Sequence, residues 1–158
     1  MTRDALCPDP GRYIPQKPPM VALTRVVSVT DDEVVCEADT SPDGPLGALL
    51  RRTGGSGALL MEMMAQAIGV WAGYQRERSG REAIGIGFLM SARALRLRAA
   101  RVPAGQRLLV RMRKVLYEGN LGSFEGNVSS GETVLASGRV SVCEPDAQQL
   151  KEIFGERP

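Results

Sequence analysis

The stretch that decides the fold is SGALLMEMMAQAIGVWAG, residues 56–73. Its side chains are apolar on every side except at Glu62 and Gln66. A helix without a polar face is normally surrounded by other structure, because its apolar side chains must be buried all the way round. We therefore predict that residues 57–73 form a buried central helix, the core of the protein.

The two polar side chains of this helix need partners, because burying an unpaired carboxylate is costly. Glu62 and Gln66 are at positions i and i+4, so they lie one turn apart on the same face and can hydrogen-bond each other. One interpretation makes Glu62 a general acid or base in an apolar pocket, with Gln66 fixing its rotamer. The alternative is a satisfied buried contact, or a bond across a subunit interface, without a catalytic role.

Length and composition predict a single domain. The chain has 158 residues, of which 43% are hydrophobic and 24% charged, values typical of a folded globular protein. Its net charge of +2 gives no strong attraction to nucleic acid. The N-terminus lacks the apolar run of a signal peptide, and the central helix is too short and too polar for a membrane span. We therefore expect a cytoplasmic protein.

The chain contains no histidine, and its three cysteines lack the spacing of a metal site. Every mechanism that needs an imidazole base, a triad or a histidine ligand from this chain is therefore excluded. The sequence indicates neither a metal nor a cofactor.

The residue pattern divides the chain into three parts. Residues 1–19 are rich in proline, which disfavours a helix and predicts an extended arm. Residues 20–144 carry about two β-patterned segments before the central helix and about four after it. Residues 145–158 form a tail with a short surface helix. This order predicts the α+β class, with an antiparallel sheet wrapped around one long helix, and the open sheet edge favours a dimer.

Alternation along the predicted strands assigns the side chains that face the core. In chain order they are Val21, Leu23, Val27 and Val29; Val34, Cys36 and Ala38; Ile84, Ile86, Phe88 and Met90; Leu108, Val110 and Met112; Phe124 and Val128; and Val134, Ala136, Gly138, Val140 and Val142.

Residues 41–56 are rich in glycine and proline, and we predict a long connection into the helix, with Ser56 as its N-cap. Gly54, Gly55, Ser56 and Gly57 would bring backbone N–H groups close to a ligand at the positive end of the helix dipole. They are the candidate substrate-binding residues. A plain turn leading into a helix cap is the alternative.

The helix motif resembles that of a known family. GALLMEMMAQ is similar to the central helix of the hot dog 3-hydroxyacyl-ACP dehydratases, Gly-Val-Leu-x-x-Glu-Ala-Met-Ala-Gln, with Gly57, Glu62, Ala65 and Gln66 at matching positions. The segment YIPQKPPMVALTRVVSV resembles the family's approach to its first strand, and IGIGFLMSAR resembles the subgroup of aryl polyene pigment clusters. The resemblance implies the hot dog fold.

It also implies that water is eliminated from a 3-hydroxyacyl thioester on acyl carrier protein. In that family a histidine of one subunit and the helix glutamate of its neighbour share the proton transfers, while N–H groups near the helix start polarise the thioester carbonyl. Glu62 matches the acidic residue and Gln66 its orienting partner. The histidines are missing: Ala48 stands where the family's His-Phe-Pro-Gly loop would place one, and Gln16 replaces the other.

Three functions remain open at this stage. The first is a dehydratase subunit, in a homodimer or in a heterodimer with a hot dog dehydratase that carries the histidine. The second is a hot dog thioesterase in which Glu62 activates water. The third is a noncatalytic acyl-binding subunit. The substitutes considered for the missing base are Tyr13, Lys17 and Asp43. The candidates for docking the carrier protein are Arg51, Arg52, Arg76 and Arg78.

Overall fold

The fold is a six-stranded antiparallel sheet wrapped around one long helix, and the computed structural model describes residues 6–155. The strands are β1 (Arg25–Val29), β2 (Glu33–Asp39), β3 (Phe88–Leu97), β4 (Arg107–Glu118), β5 (Leu121–Ser130) and β6 (Thr133–Cys143). The helices are α1 (Gly47–Thr53), α2 (Ala58–Arg78) and α3 (Ala147–Phe154), and a 3₁₀ turn spans Pro10–Arg12. The predicted α+β class is confirmed. The first five residues of the predicted arm and the last three of the predicted tail lie outside the described residues.

The strand order across the sheet is β1-β2-β4-β5-β6-β3. Each neighbouring pair is antiparallel, and short turns join β4 to β5 and β5 to β6, while β3 lies at the edge beside β6. Within the described part of the chain, no helix is long and apolar enough to cross a membrane.

Helix α2 is the core, as its composition predicts. Leu60, Met63, Met64 and Val70 are fully buried. The indole N–H of Trp71 donates to the carbonyl oxygen of Thr30 at 3.1 Å and ties the helix to the β1–β2 turn. The apolar stretch is followed by the long side chains of residues 74–78, and the helix ends at Arg78, where Ser79-Gly80 is the expected stop.

The inward faces of the middle strands follow the predicted alternation. Cys36 and Ala38 in β2, Val110 and Met112 in β4 and Phe124 in β5 are fully buried. The register supports this, because Cys36 lies opposite Val110 in the β2–β4 pair.

Strand β1 departs from the predicted pattern. It begins at Arg25, and Val26 rather than Val27 faces the core. An irregularity between Val26 and Ser28 shifts the pairing with β2, so side chains beyond it change faces.

Strand β3 begins later than predicted. Ile84 and Ile86 precede it and are exposed, as is Met90. Since β3 pairs only with β6 in the described chain, its other edge is open, and the apolar side chains there have no cover from this chain.

The predicted connection over residues 41–56 contains a short helix, α1. Leu46 and Leu49 are buried and hold this helix against the core. It ends at Gly54, whose φ of +63° suits the left-handed cap that glycine adopts readily.

Candidate functional site

A cavity of about 200 Å³ follows one face of α2. The helix contributes Glu62, Ala65, Gln66, Ile68, Gly69, Ala72 and Arg76. These positions are spaced by three or four residues, so they share a face. Small side chains in the middle leave the space open, and a separation of about 21 Å along the axis puts Glu62 and Arg76 at opposite ends.

The opposite walls of the cavity are mostly apolar. They come from the N-terminal arm, from the segment that leads into β3, and from the strands beside it. The main contributors are Tyr13, Ile14, Gln16, Phe88, Leu89, Tyr117, Phe124 and Val142. A largely apolar channel with a carboxylate at one end can hold an extended apolar group with its reactive end at that carboxylate.

The hydrogen bond predicted between Glu62 and Gln66 is present. The amide nitrogen of Gln66 donates to Oε1 of Glu62 at 2.8 Å. Glu62 is half-buried, and none of the described residues donates a hydrogen bond to its Oε2. One oxygen of the carboxyl is thus held by the protein, while the other is available for a bound molecule.

Gln66 is itself fixed by the segment that leads into β1, residues 20–24. Its side-chain oxygen accepts from the backbone N–H of Ala22 at 2.8 Å, and its nitrogen also donates to the carbonyl oxygen of Met20 at 2.9 Å. With only 2% of its surface exposed, Gln66 links this segment to Glu62. Gln66 therefore orients the carboxyl only while the segment is in place.

An ion pair closes the far end of the cavity. The guanidinium of Arg76 lies 2.6 Å from a carboxylate oxygen of Glu144 and donates twice to the carbonyl oxygen of Ala83, at 3.0 and 2.8 Å. Gly85 packs against it, and a Cβ there would lie 2.7 Å from the guanidinium carbon. Arg76 thus anchors the segment before β3, and it is not free to dock a carrier protein.

The predicted N–H donors at the start of α2 are already engaged. The N–H groups of Gly54, Gly55 and Ser56 donate to carbonyls of α1, and that of Gly57 donates to Ala100 at 2.9 Å. Gly54 and Gly55 line a separate groove, away from Glu62. Ser56 is not the N-cap: Gly57 occupies that position, and the Ser56 hydroxyl accepts from Ala58 N at 3.3 Å. In this conformation these N–H groups do not point to a ligand.

Of the substitute bases only Tyr13 lies at the cavity. Its ring is buried, and burial raises the pKa of its hydroxyl, which disfavours the phenolate that a base would need. Lys17 and Asp43 do not line the cavity. Among the described residues, no group of cysteines and carboxylates could hold a metal ion.

Sequence reasoning missed the polar residues that other segments bring to the cavity. Glu144 comes from the end of β6 and Tyr117 from β4, and no local spacing connects them with α2. Gln16 did carry a signal, because it occupies a histidine position of the family that the motif resembles.

Comparison with known proteins gives a family and solved relatives. The family model described as ApeP dehydratase matches residues 8–154. A solved structure of the dehydratase heterocomplex ApeI:P from Xenorhabdus doucetiae is similar, with a TM-score of 0.85 and 36% identity over 96% of this chain and 99% of that chain. No curated protein matches the sequence.

More distant structures share the fold alone. A putative esterase from Mycobacterium tuberculosis is 12% identical with a TM-score of 0.58, over 80% of this chain and 93% of that chain. A mutant of the phenylacetic acid degradation protein PaaI from Thermus thermophilus is 16% identical with a TM-score of 0.52, over 76% and 91%. The predicted hot dog fold is confirmed.

Proposed function

Because the chain belongs to the ApeP dehydratase family, we propose that it is the glutamate-bearing subunit of a heteromeric dehydratase that acts on 3-hydroxyacyl thioesters of acyl carrier protein. The observation that carries this proposal is the Glu62–Gln66 pair at the end of an apolar channel, in a chain without histidine. Glu62 has a free oxygen for the substrate, and a partner subunit supplies the base.

The chemistry divides between the two subunits. A base on the partner takes the α-proton, the C2=C3 double bond forms, and the C3–O bond breaks as protonated Glu62 gives its proton to the leaving hydroxyl. Gln66 holds Oε1, so that Oε2 faces the substrate. The solved heterocomplex ApeI:P, to which this chain is similar, supports an ApeI-like partner.

The open edge of β3 is the proposed contact with that partner. Leu89, Met90 and Leu97 on this strand are exposed by 44%, 62% and 45%. Since Leu89 also lines the cavity, a subunit that pairs with this edge would meet the substrate channel. This explains how a residue of the partner could reach a substrate held at Glu62.

The test compares a Glu62→Gln variant with Glu132→Gln, which changes an exposed glutamate in the β5–β6 turn. Each protein is co-expressed with an ApeI-like, histidine-bearing hot dog subunit, and 3-hydroxyacyl-ACP is followed by intact-mass analysis. We expect loss of one water with wild type and Glu132→Gln, and a rate lower by about 10²–10⁴-fold with Glu62→Gln.

Two results would contradict the proposal. Full dehydration by the complex with Glu62→Gln would show that Glu62 is not the acid. Loss of the whole acyl group, in place of one water, would identify a thioesterase.

A further inference from the structure

Gln16 has a buried polar atom that the described part of the chain leaves without a partner. Its side-chain oxygen is shielded from solvent, yet within residues 6–155 no group donates a hydrogen bond to it. It is the one such side-chain atom among the described residues. Buried acceptors in folded proteins are nearly always paired, so an orphan of this kind calls for a donor from outside the described residues.

The location of this atom narrows the choice of donor. Gln16 lines the same cavity as Glu62, and the cavity is otherwise walled mainly by apolar side chains. The nearby amide of Gln66 cannot serve, because its nitrogen already donates to Glu62 and to Met20. A molecule that enters the channel can supply this donor.

A hydroxyl group has both the donor that Gln16 lacks and an acceptor for Glu62. Its hydrogen can go to Gln16, while its oxygen accepts the proton of Glu62 in the acid form. An enoyl or a saturated chain carries no such donor at C3. Gln16 and Glu62 thus distinguish a hydroxylated acyl chain from its dehydrated product.

We propose that Oε1 of Gln16 accepts the hydrogen bond of the substrate's 3-hydroxyl group, and this inference rests on the proposed dehydratase function. During elimination Glu62 gives one proton to the hydroxyl oxygen, the C3–O bond breaks, and the water leaves with its original hydrogen still directed at Gln16. The amide neither gains nor loses a proton. Gln16 orients the leaving group and favours hydroxyacyl over enoyl ligands.

The experiment uses the complex with an ApeI-like subunit, with Glu62→Gln in every sample to prevent turnover. Binding of 3-hydroxyoctanoyl-pantetheine and of trans-2-octenoyl-pantetheine is measured for Gln16 intact, for Gln16→Met and for Gln148→Met, an exposed control on α3. We expect Gln16→Met to weaken hydroxyacyl binding by roughly tenfold, the loss of about one good hydrogen bond, and to change enoyl binding less than about twofold.

Thermal unfolding gives a second readout. Replacing an orphaned acceptor by an apolar side chain of similar size removes an unmet polar group, so Gln16→Met should unfold at the same or a higher temperature than wild type. A lower unfolding temperature, or an equal loss of both ligands, would overturn the inference and indicate a structural role. Gln16→Leu repeats the test with another apolar side chain.

The outcome separates this inference from the function on which it rests. If the complex with wild-type Glu62 dehydrates the substrate, but Gln16→Met leaves the ratio of the two affinities unchanged, only the inference fails. If the complex neither dehydrates 3-hydroxyacyl-ACP nor binds either pantetheine, the proposed function fails with it.

Discussion

Replacing Gln66 with leucine tests whether this amide connects the segment before β1 to the candidate acid. Gln66 takes part in three hydrogen bonds, with Glu62, with Met20 and with Ala22. Leucine fills a similar volume but makes none of them. The N–H of Ala22, a fully buried residue, would lose its acceptor, which costs about 1–3 kcal/mol. Met20 is half-exposed, so water can replace its lost donor.

We expect the unfolding temperature of Gln66→Leu to fall by about 2–12 °C, the range that this cost produces in a chain of this size. The loss of stability should also be concentrated around residues 20–22. Amide hydrogen exchange at Met20 and Ala22 should become about 5–150-fold faster, while exchange in β4 and β5 changes little. Dehydration by the complex should fall too, because the carboxyl of Glu62 loses the group that orients it.

Gln148→Leu is the matched control, since this glutamine is exposed on α3 and its side chain makes no hydrogen bond to the described residues. It should leave all three measurements unchanged. The reasoning would be refuted if Gln66→Leu were as stable as the control, or if exchange rose evenly throughout the sheet.

Three further predictions concern the rest of the fold. Cys36 is fully buried, and burial raises its pKa to about 12, so a titration with a thiol reagent should find it unreactive until the protein unfolds, after the two partly exposed cysteines have reacted. Gly73→Ala should lower the unfolding temperature, because the added Cβ would lie 2.4 Å from the carbonyl oxygen of Tyr13; an unchanged melting curve would contradict this close packing. Hydrogen bonds from Arg139 and Arg113 lower the pKa of Glu125 below its ordinary 4.5. The ionised Glu125 therefore stabilises the fold fully above pH 4.5, and this stabilisation is lost as the pH falls through the folded-state pKa. In urea titrations at acidic pH, the free energy of unfolding of Glu125→Gln should therefore depend less on pH than that of wild type.

The central helix and the middle of the sheet could be predicted because their patterns are local. An apolar run without a polar face requires burial, and alternation in β2 and β4 places Cys36 and Val110 inward whatever lies around them. The irregularity after Val26 could not be predicted in this way, because it depends on the pairing with a neighbouring strand. The exposure of Met90 in β3 reflects an open sheet edge, which hydrophobicity alone does not reveal.

The candidate site shows the same division between local and distant information. The contact between Glu62 and Gln66 follows from a spacing of four residues on one helix. The bond from Ala22 to Gln66 joins residues far apart in the chain, so no local pattern contains it. The engagement of the Gly55 and Gly57 N–H groups likewise depends on α1 and on the segment before β4.

Those engaged N–H groups also bear on how a heteromeric site would be divided. A thioester carbonyl that gains negative charge during α-proton removal needs hydrogen-bond donors beside it. The N–H groups before α2 cannot provide them here without breaking bonds to α1 and Ala100. If Glu62 is the acid, the partner must then supply both the base and the carbonyl donors. The variant Ala48→His should therefore remain inactive without a partner. Dehydration by this variant alone would show that the partner is not needed for the base and the carbonyl donors.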